Sequence, residues 1–186
     1  MVEEIWILAW NASVQRANLY KKGLKSENGK ASGFRVSVIN YIKSNILKSY
    51  KNGSDEEQHY KNIESLITEA NARGKDILGS DGYKYGVAQK LLNLALKYMW
   101  CLGHIKEPPH CPIDRIIINK TKYKNKVNWT TIKERKQYED VIKEIKALAS
   151  AEGRTPAQWE LHNYARKESP NNRVILNSGD TILDSV

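Results

Sequence analysis

The stretch CLGHIKEPPHCPIDR, Cys101 to Arg115, gathers the side chains with the most chemistry in this chain. It holds both cysteines, two of the four histidines and three of the five prolines. Cys101, His104, His110 and Cys111 form a C-x2-H-x5-H-C pattern in which every residue is a zinc-ligand type. Two features weigh against zinc. His110 and Cys111 are adjacent, which makes it awkward for both to reach one tetrahedral ion. Cys101 falls in the last turn of an apolar helix, where a free cysteine ordinarily serves as a small hydrophobe. In that helix, Leu91, Leu92, Leu94, Ala95, Leu96, Tyr98, Met99, Trp100 and Leu102 cover most of the circumference, as expected for the centre of a core. Lys90, Asn93, Lys97, Cys101 and His104 step along it by three, four, four and three and form one polar stripe. A polar stripe on a buried helix faces either a strip of solvent or a cleft. In the second case Lys90 and Asn93 line a site.

GVAQK (Gly86 to Lys90) opens the apolar helix, and CPIDR (Cys111 to Arg115) opens the next element. Over these thirty residues the chain resembles the helix-hairpin-helix DNA glycosylases. Gly86, Val87 and Lys90 fit that family's Gly-Val-Gly-x-Lys hairpin, and Pro112, Ile113 and Asp114 fit its Pro-Val-Asp turn. Ala88 replaces the second glycine, Tyr85 stands where proline is frequent, and GHIKEPPH lengthens the gap. The longer stretch from AQKLLNLALKYMW to PPHCPID is also similar to a family of uncharacterised bacterial proteins, which implies no activity. The glycosylase resemblance implies a Lys90 amine that attacks the sugar C1′ and an Asp114 carboxylate that activates it and stabilises the sugar cation. Burial near Lys97 lowers a lysine pKa in the direction such a nucleophile needs. Backbone N–H groups around Gly86 are placed to hold a phosphate. An extruded base needs a pocket, for which Tyr83, Tyr85, Asn93, Trp100 and Trp129 are the candidates.

The charge distribution points to the same class of partner. The net charge is +9, but it is uneven. The segments 20–51 and 115–136 each carry eight Lys/Arg against one Glu, a net +7 apiece, which leaves the remainder at −5. Two basic blocks on a mildly acidic body suit a nucleic acid, and the glycosylase resemblance implies DNA rather than RNA. Lys97, Arg115, Lys120, Lys122, Lys124 and Lys126 are the expected contacts. No P-loop, G-x-G-x-x-G or G-x-S-x-G is present, so no cofactor is expected. The acidic, quickly interrupted N-terminus reads as neither signal peptide nor membrane span, and two cysteines fit free thiols in a reducing cytoplasm.

The elements that must position these residues are helical. Apolar residues recur at helical spacing in 32–50, through Val38, Ile42 and Ile46, and in 54–74, through Tyr60, Ile63, Ile67 and Ala70. Ser54 with Glu57 and Thr131 with Glu134 read as capping boxes, and so does Thr155 with Pro156 and Gln158. Tyr138, Val141, Ile145 and Leu148 form the stripe of the penultimate helix. A short helix or strand is expected at 116–119. The alternation of an α/β sheet is absent. The expectation is an all-α single domain, residues 1–168, of six or seven helices. A tail, 169–186, follows as a hairpin around NSGD or as disordered chain.

Overall fold

The computed structural model of the chain describes residues 2–23 and 29–164. The expected tail hairpin lies outside them. Among the described residues the chain forms seven α-helices and no strand, so the fold is all-α. None of these helices is long and apolar enough to cross a membrane.

The apolar helix α4 (Tyr85–Cys101) is the axis of the core, with α1 (Val2–Val14) and α3 (Glu56–Arg73) packed on it. The sequence did not announce α1, because the polar NAS run interrupts its apolar pattern. Ile5, Trp6, Ala9 and Trp10 are nevertheless buried on one face. Ser13 is buried as well, and its hydroxyl donates to the Ala9 carbonyl at 2.7 Å, so it satisfies itself within the helix. α2 (Lys30–Tyr41) runs on through a π turn (Ile42–Ile46) and a 3-10 turn (Leu47–Tyr50). α5 (Arg115–Ile118) is a single turn, and α6 (Arg135–Ala151) and α7 (Pro156–Asn163) pair with each other.

Two caps shift from their expected places. Asp55, not Ser54, caps α3, accepting the Gln58 N–H at 2.7 Å; its charge also suits the positive end of the helix. Residues 129–131 form a 3-10 turn, so α6 starts late and its reciprocal box joins Glu134 to Gln137. At α7, Thr155, Pro156 and Gln158 form the expected start.

Gly86 is where α4 meets the 129–131 turn. A β-carbon there would lie 1.8 Å from the Trp129 carbonyl oxygen, so only glycine permits the approach. Its N–H donates to the Ile132 carbonyl at 3.0 Å. About two turns further along α4 runs a buried polar chain. Asn93 donates to the Tyr138 hydroxyl at 3.0 Å, and Tyr138 lies 3.0 Å from His110 Nδ1. His110 Nε2 sits 3.0 Å from Glu56 Oε1. Burial holds His110 down at about 4, against the pull of Glu56, so the ring is neutral. Its Nε2 donates to the Glu56 carboxylate, and its Nδ1 accepts from Tyr138. Burial pushes Glu56 up, but hydrogen bonds from Lys146, His110 and Tyr60 outweigh it and hold the carboxyl at about 2.

Gly86→Ala is expected to cost at least about 3 kcal/mol in urea unfolding, because backbone blocks the new methyl. Gly33→Ala, in the exposed part of α2 with no atom within 4 Å, should gain about 0.5–1 kcal/mol. Acid should weaken the fold in a defined window. Below pH 6.5 the unfolded chain binds a proton that folded His110 refuses until about 4. Stability therefore falls by about 3 kcal/mol between those values. Glu56 extends the fall from 4.5 toward 2. Urea midpoints at pH 7 and pH 4.5 check this, and His110→Gln should flatten part of the drop.

Candidate active site

Lys90 and Asp114 meet because three local features fix them. The first is the cap of α5. Asp114 Oδ1 accepts the N–H groups of Ile116 and Ile117 at 2.9 and 3.1 Å. Its other oxygen, Oδ2, lies 3.9 Å from Lys90 Nζ. The second is the Gln89 side chain, wholly buried beside Lys90 in sequence. Its Nε2 donates to the Ile113 carbonyl at 2.8 Å, and its Oε1 accepts the Ile113 N–H at 3.1 Å. That double bond to one peptide residue pins the loop before Asp114 to α4. The third is Trp129, held by the Gly86 contact, whose ring centroid lies 4.1 Å from Lys90 Nζ.

The pair is largely withdrawn from water, with side-chain exposures of 11% for Lys90 and 15% for Asp114. Burial drives the Lys90 pKa below the ordinary lysine value; Asp114 opposes the shift and Arg16 reinforces it. The lysine is thus nearer to yielding a neutral amine than a surface lysine is.

Both groups open into one cleft of about 820 Å³, walled by Ala12 of α1, by Gln15 and Arg16 just after that helix, and by Arg115 and Ile116 of α5. Trp129 and Tyr164 also line it. Arg16, Arg115 and Lys120 line it, and among the described residues none has an ion-pair partner. A neighbouring hollow of about 300 Å³ shares Arg115 and Trp129 and adds Lys126. On the inner side lies a recess of about 70 Å³ between Lys90, Lys97, Asp114 and Glu160. There Lys97 Nζ pairs with Glu160 at 2.7 Å and faces the Tyr164 ring at 4.9 Å.

The sequence-derived candidates divide accordingly. Lys90, Asp114, Lys97, Arg115, Lys120, Lys126 and Trp129 come together at the cleft and its margins. Lys122 is tied to Glu144 at 2.6 Å, and Lys124 is exposed outside the cleft lining. The Gly86 N–H is consumed by Ile132 and does not face a ligand. The base-pocket set does not assemble. Tyr83 is buried among Trp10 and Phe34, and Tyr85 packs on Tyr138. Asn93 is buried in the polar chain, and Trp100 packs against the core. The zinc pattern also separates. Cys101 and His104 are exposed, whereas Cys111 is buried and His110 is committed to Tyr138 and Glu56. Among the described residues no group of three or more His, Cys, Asp or Glu is placed to hold a metal ion.

Of the two basic segments, 115–136 supplies Arg115 and Lys120, whereas 20–51 supplies nothing to the cleft lining. Arg16, Gln89, Glu160 and Tyr164 were not anticipated. The signal for Gln89 was available, since a buried amide next to Lys90 has to find partners. Arg16 was hidden because α1 was not read as a helix.

Asp114→Asn should keep the α5 cap, because asparagine caps as well as aspartate, whereas Asp114→Ala should lose about 1 kcal/mol more in urea unfolding. Equal losses for the two would remove the cap from the account.

No known protein family, curated protein or solved structure matches the chain.

Proposed function

We propose that the protein is a nucleic-acid-processing enzyme of the glycosylase/lyase type, with Lys90 as amine nucleophile and Asp114 as the carboxylate that serves it. The observation that carries this reading is the desolvated Lys90–Asp114 pair, 3.9 Å apart, in a cleft that is also lined by Arg16, Arg115 and Lys120, which have no ion-pair partner among the described residues. A structural ion pair alone does not require the cleft, and a phosphate-binding surface alone does not require the pair. The combination suits a reaction at the sugar of a nucleic acid. Arg16, Arg115 and Lys120 hold backbone phosphates. The neutral amine attacks C1′, with Asp114 accepting the proton that Lys90 sheds. The charge of Asp114 then steadies the cationic sugar or iminium that forms.

A non-catalytic nucleic-acid-binding module is the competing reading, and it is favoured by the capping role that Asp114 already fills.

Borohydride reduction in the presence of a panel of damaged, modified and abasic duplexes separates the two. The enzyme reading expects a covalent protein–DNA adduct that is lost in Lys90→Ala and formed about 10²-fold more slowly in Asp114→Asn. No adduct on any duplex, or one that survives Lys90→Ala, leaves the binding module. Salt dependence tests the surface that both readings share. Lys120→Ala should make the slope of log affinity against log salt shallower by about 1, the value for one lost phosphate contact. Lys122→Ala, whose amine is held by Glu144, should change it distinctly less.

A further inference from the structure

The basic segment 20–51 carries a net +7, yet it contributes nothing to the cleft that holds Lys90 and Asp114. Its first residues line a second groove of about 820 Å³. That groove begins where the cleft ends, because Gln15 borders both. One wall is the chain after α1, residues 18–23, with Lys21 and Lys22; the other is the loop 79–81 before α4. The groove lies outside residues 86–115, the stretch on which the glycosylase resemblance rests.

Backbone bonds tie the two walls to each other. Asn18 turns the chain in the left-handed region at φ 47°, which asparagine tolerates. The Lys21 N–H then donates to the Ile77 carbonyl at 2.9 Å, and the Gly79 N–H donates to the Leu19 carbonyl at 2.9 Å. Between these bonds Tyr20 pairs with Leu78 in an isolated antiparallel bridge. The charge of the groove is one-sided. Asp81, the only carboxylate on its lining among the described residues, is held by Lys133 at 2.9 Å and by Lys84 at 3.5 Å. Lys21 Nζ donates to the Asp76 carbonyl at 2.8 Å, which fixes the ammonium without cancelling its charge. Lys22 is exposed, and its ammonium has no hydrogen-bond or ion-pair partner among the described residues. Burial raises the Tyr20 pKa and the charge of Arg35 opposes it, so a further cation, from α2, stands near the same wall.

Three hollows therefore adjoin in a row. Arg115, Asn119 and Trp129 border both the smallest hollow and the cleft, and Gln15 borders both the cleft and the groove. Their cations follow in the same order: Lys126 and Arg115, then Lys120 and Arg16, then Lys21 and Lys22. A row of cations that runs through successive hollows fits a chain of phosphates; a small anion would need only one of them. Resting on the nucleic-acid reading of the cleft but not on its chemistry, we infer that the groove at the end of α1 is a second binding site, for the backbone of a DNA strand that leaves the cleft past Gln15. A strand with one nucleotide over Lys90 continues beyond Arg16 and sets its next phosphates against Lys21 and Lys22. The start of the first basic block then holds one flank of the strand, while Lys126 and Arg115 hold the other.

The test uses the full chain and a labelled DNA of mixed sequence, as a duplex and as a single strand, with affinity measured over about 50–200 mM salt. Lys22→Ala should make the slope of log affinity against log salt shallower by about 0.9 on the duplex and about 0.7 on the single strand, the values for one lost phosphate contact. Lys48→Ala, in the same basic block but exposed outside the lining of all three hollows, should leave the slope unchanged. Gly79→Gln alters no charge. Its β-carbon would meet the Leu19 and Tyr20 carbonyls at an ordinary 3.7 Å, so the fold admits it and the added side chain occupies the groove. It should reproduce the slope of Lys22→Ala. Circular dichroism confirms that each variant is folded. Equal slopes for Lys22→Ala and Lys48→Ala, or a wild-type slope for Gly79→Gln, overturn the inference; a slope still reduced by Lys120→Ala then leaves the cleft reading standing. A wild-type affinity that does not change with salt overturns both. Shallower slopes for Lys22→Ala and Gly79→Gln with no borohydride adduct on any duplex uphold the groove and remove only the proposed catalysis.

Discussion

The side chain of Gln89 is the constraint on which the candidate site depends. Its amide serves both the N–H and the C=O of Ile113, which otherwise face a sealed interior. A buried peptide group without a partner costs on the order of 1–3 kcal/mol, so loop and helix are locked in one register. That register puts residue 90 opposite residue 114. Gly86 fixes the other side, where the absence of a β-carbon lets the Trp129 turn close against α4. Between these two contacts the Lys90 amine has little freedom, with a carboxylate on one side and an indole face on the other.

The ion pair is a load on the fold. Withdrawing both charges from water costs more than a pair separated by 3.9 Å readily returns, and the same arrangement with apolar residues would be no less stable. A second pair, Lys97 with Glu160, lies two helical turns further along α4 and closes the inner recess. Burial pushes the Glu160 carboxyl up, and Lys97 only partly reverses it. The scaffold supports two such pairs on one helix face because the rest of α4 is buried in apolar contact. An arrangement that spends stability at one place is ordinarily tied to function there.

Much of this was legible in the sequence, for reasons that differ from residue to residue. The apolar circumference of α4 marked it as the core axis, and the Thr155–Pro156–Gln158 start of α7 was readable from local capping chemistry alone. The meeting of Lys90 and Asp114 was suggested by two short motifs twenty-four positions apart. The aromatic candidates were misplaced because aromatic residues near a motif are as suited to core as to pocket, and periodicity does not say which neighbour claims them. Tyr83 and Tyr85 flank the α4 start in sequence, yet both point into the core. Gly86 was read as a phosphate donor because a helix start has free N–H groups; the fold uses that N–H for Ile132 instead. Arg16 and Glu160 reach the site from the two ends of the described chain, a juxtaposition that no local pattern encodes.

The central claim is that Lys90 is a desolvated amine governed by Asp114. Titration of isotopically labelled lysine side chains by NMR, with Lys90 assigned by substitution, measures it directly. The account predicts that Lys90 titrates below the ordinary lysine value of about 10.4, and lower still in Asp114→Asn, because the carboxylate raises the pKa that burial depresses. An ordinary lysine titration in the wild-type chain, or one unmoved by Asp114→Asn, would contradict it.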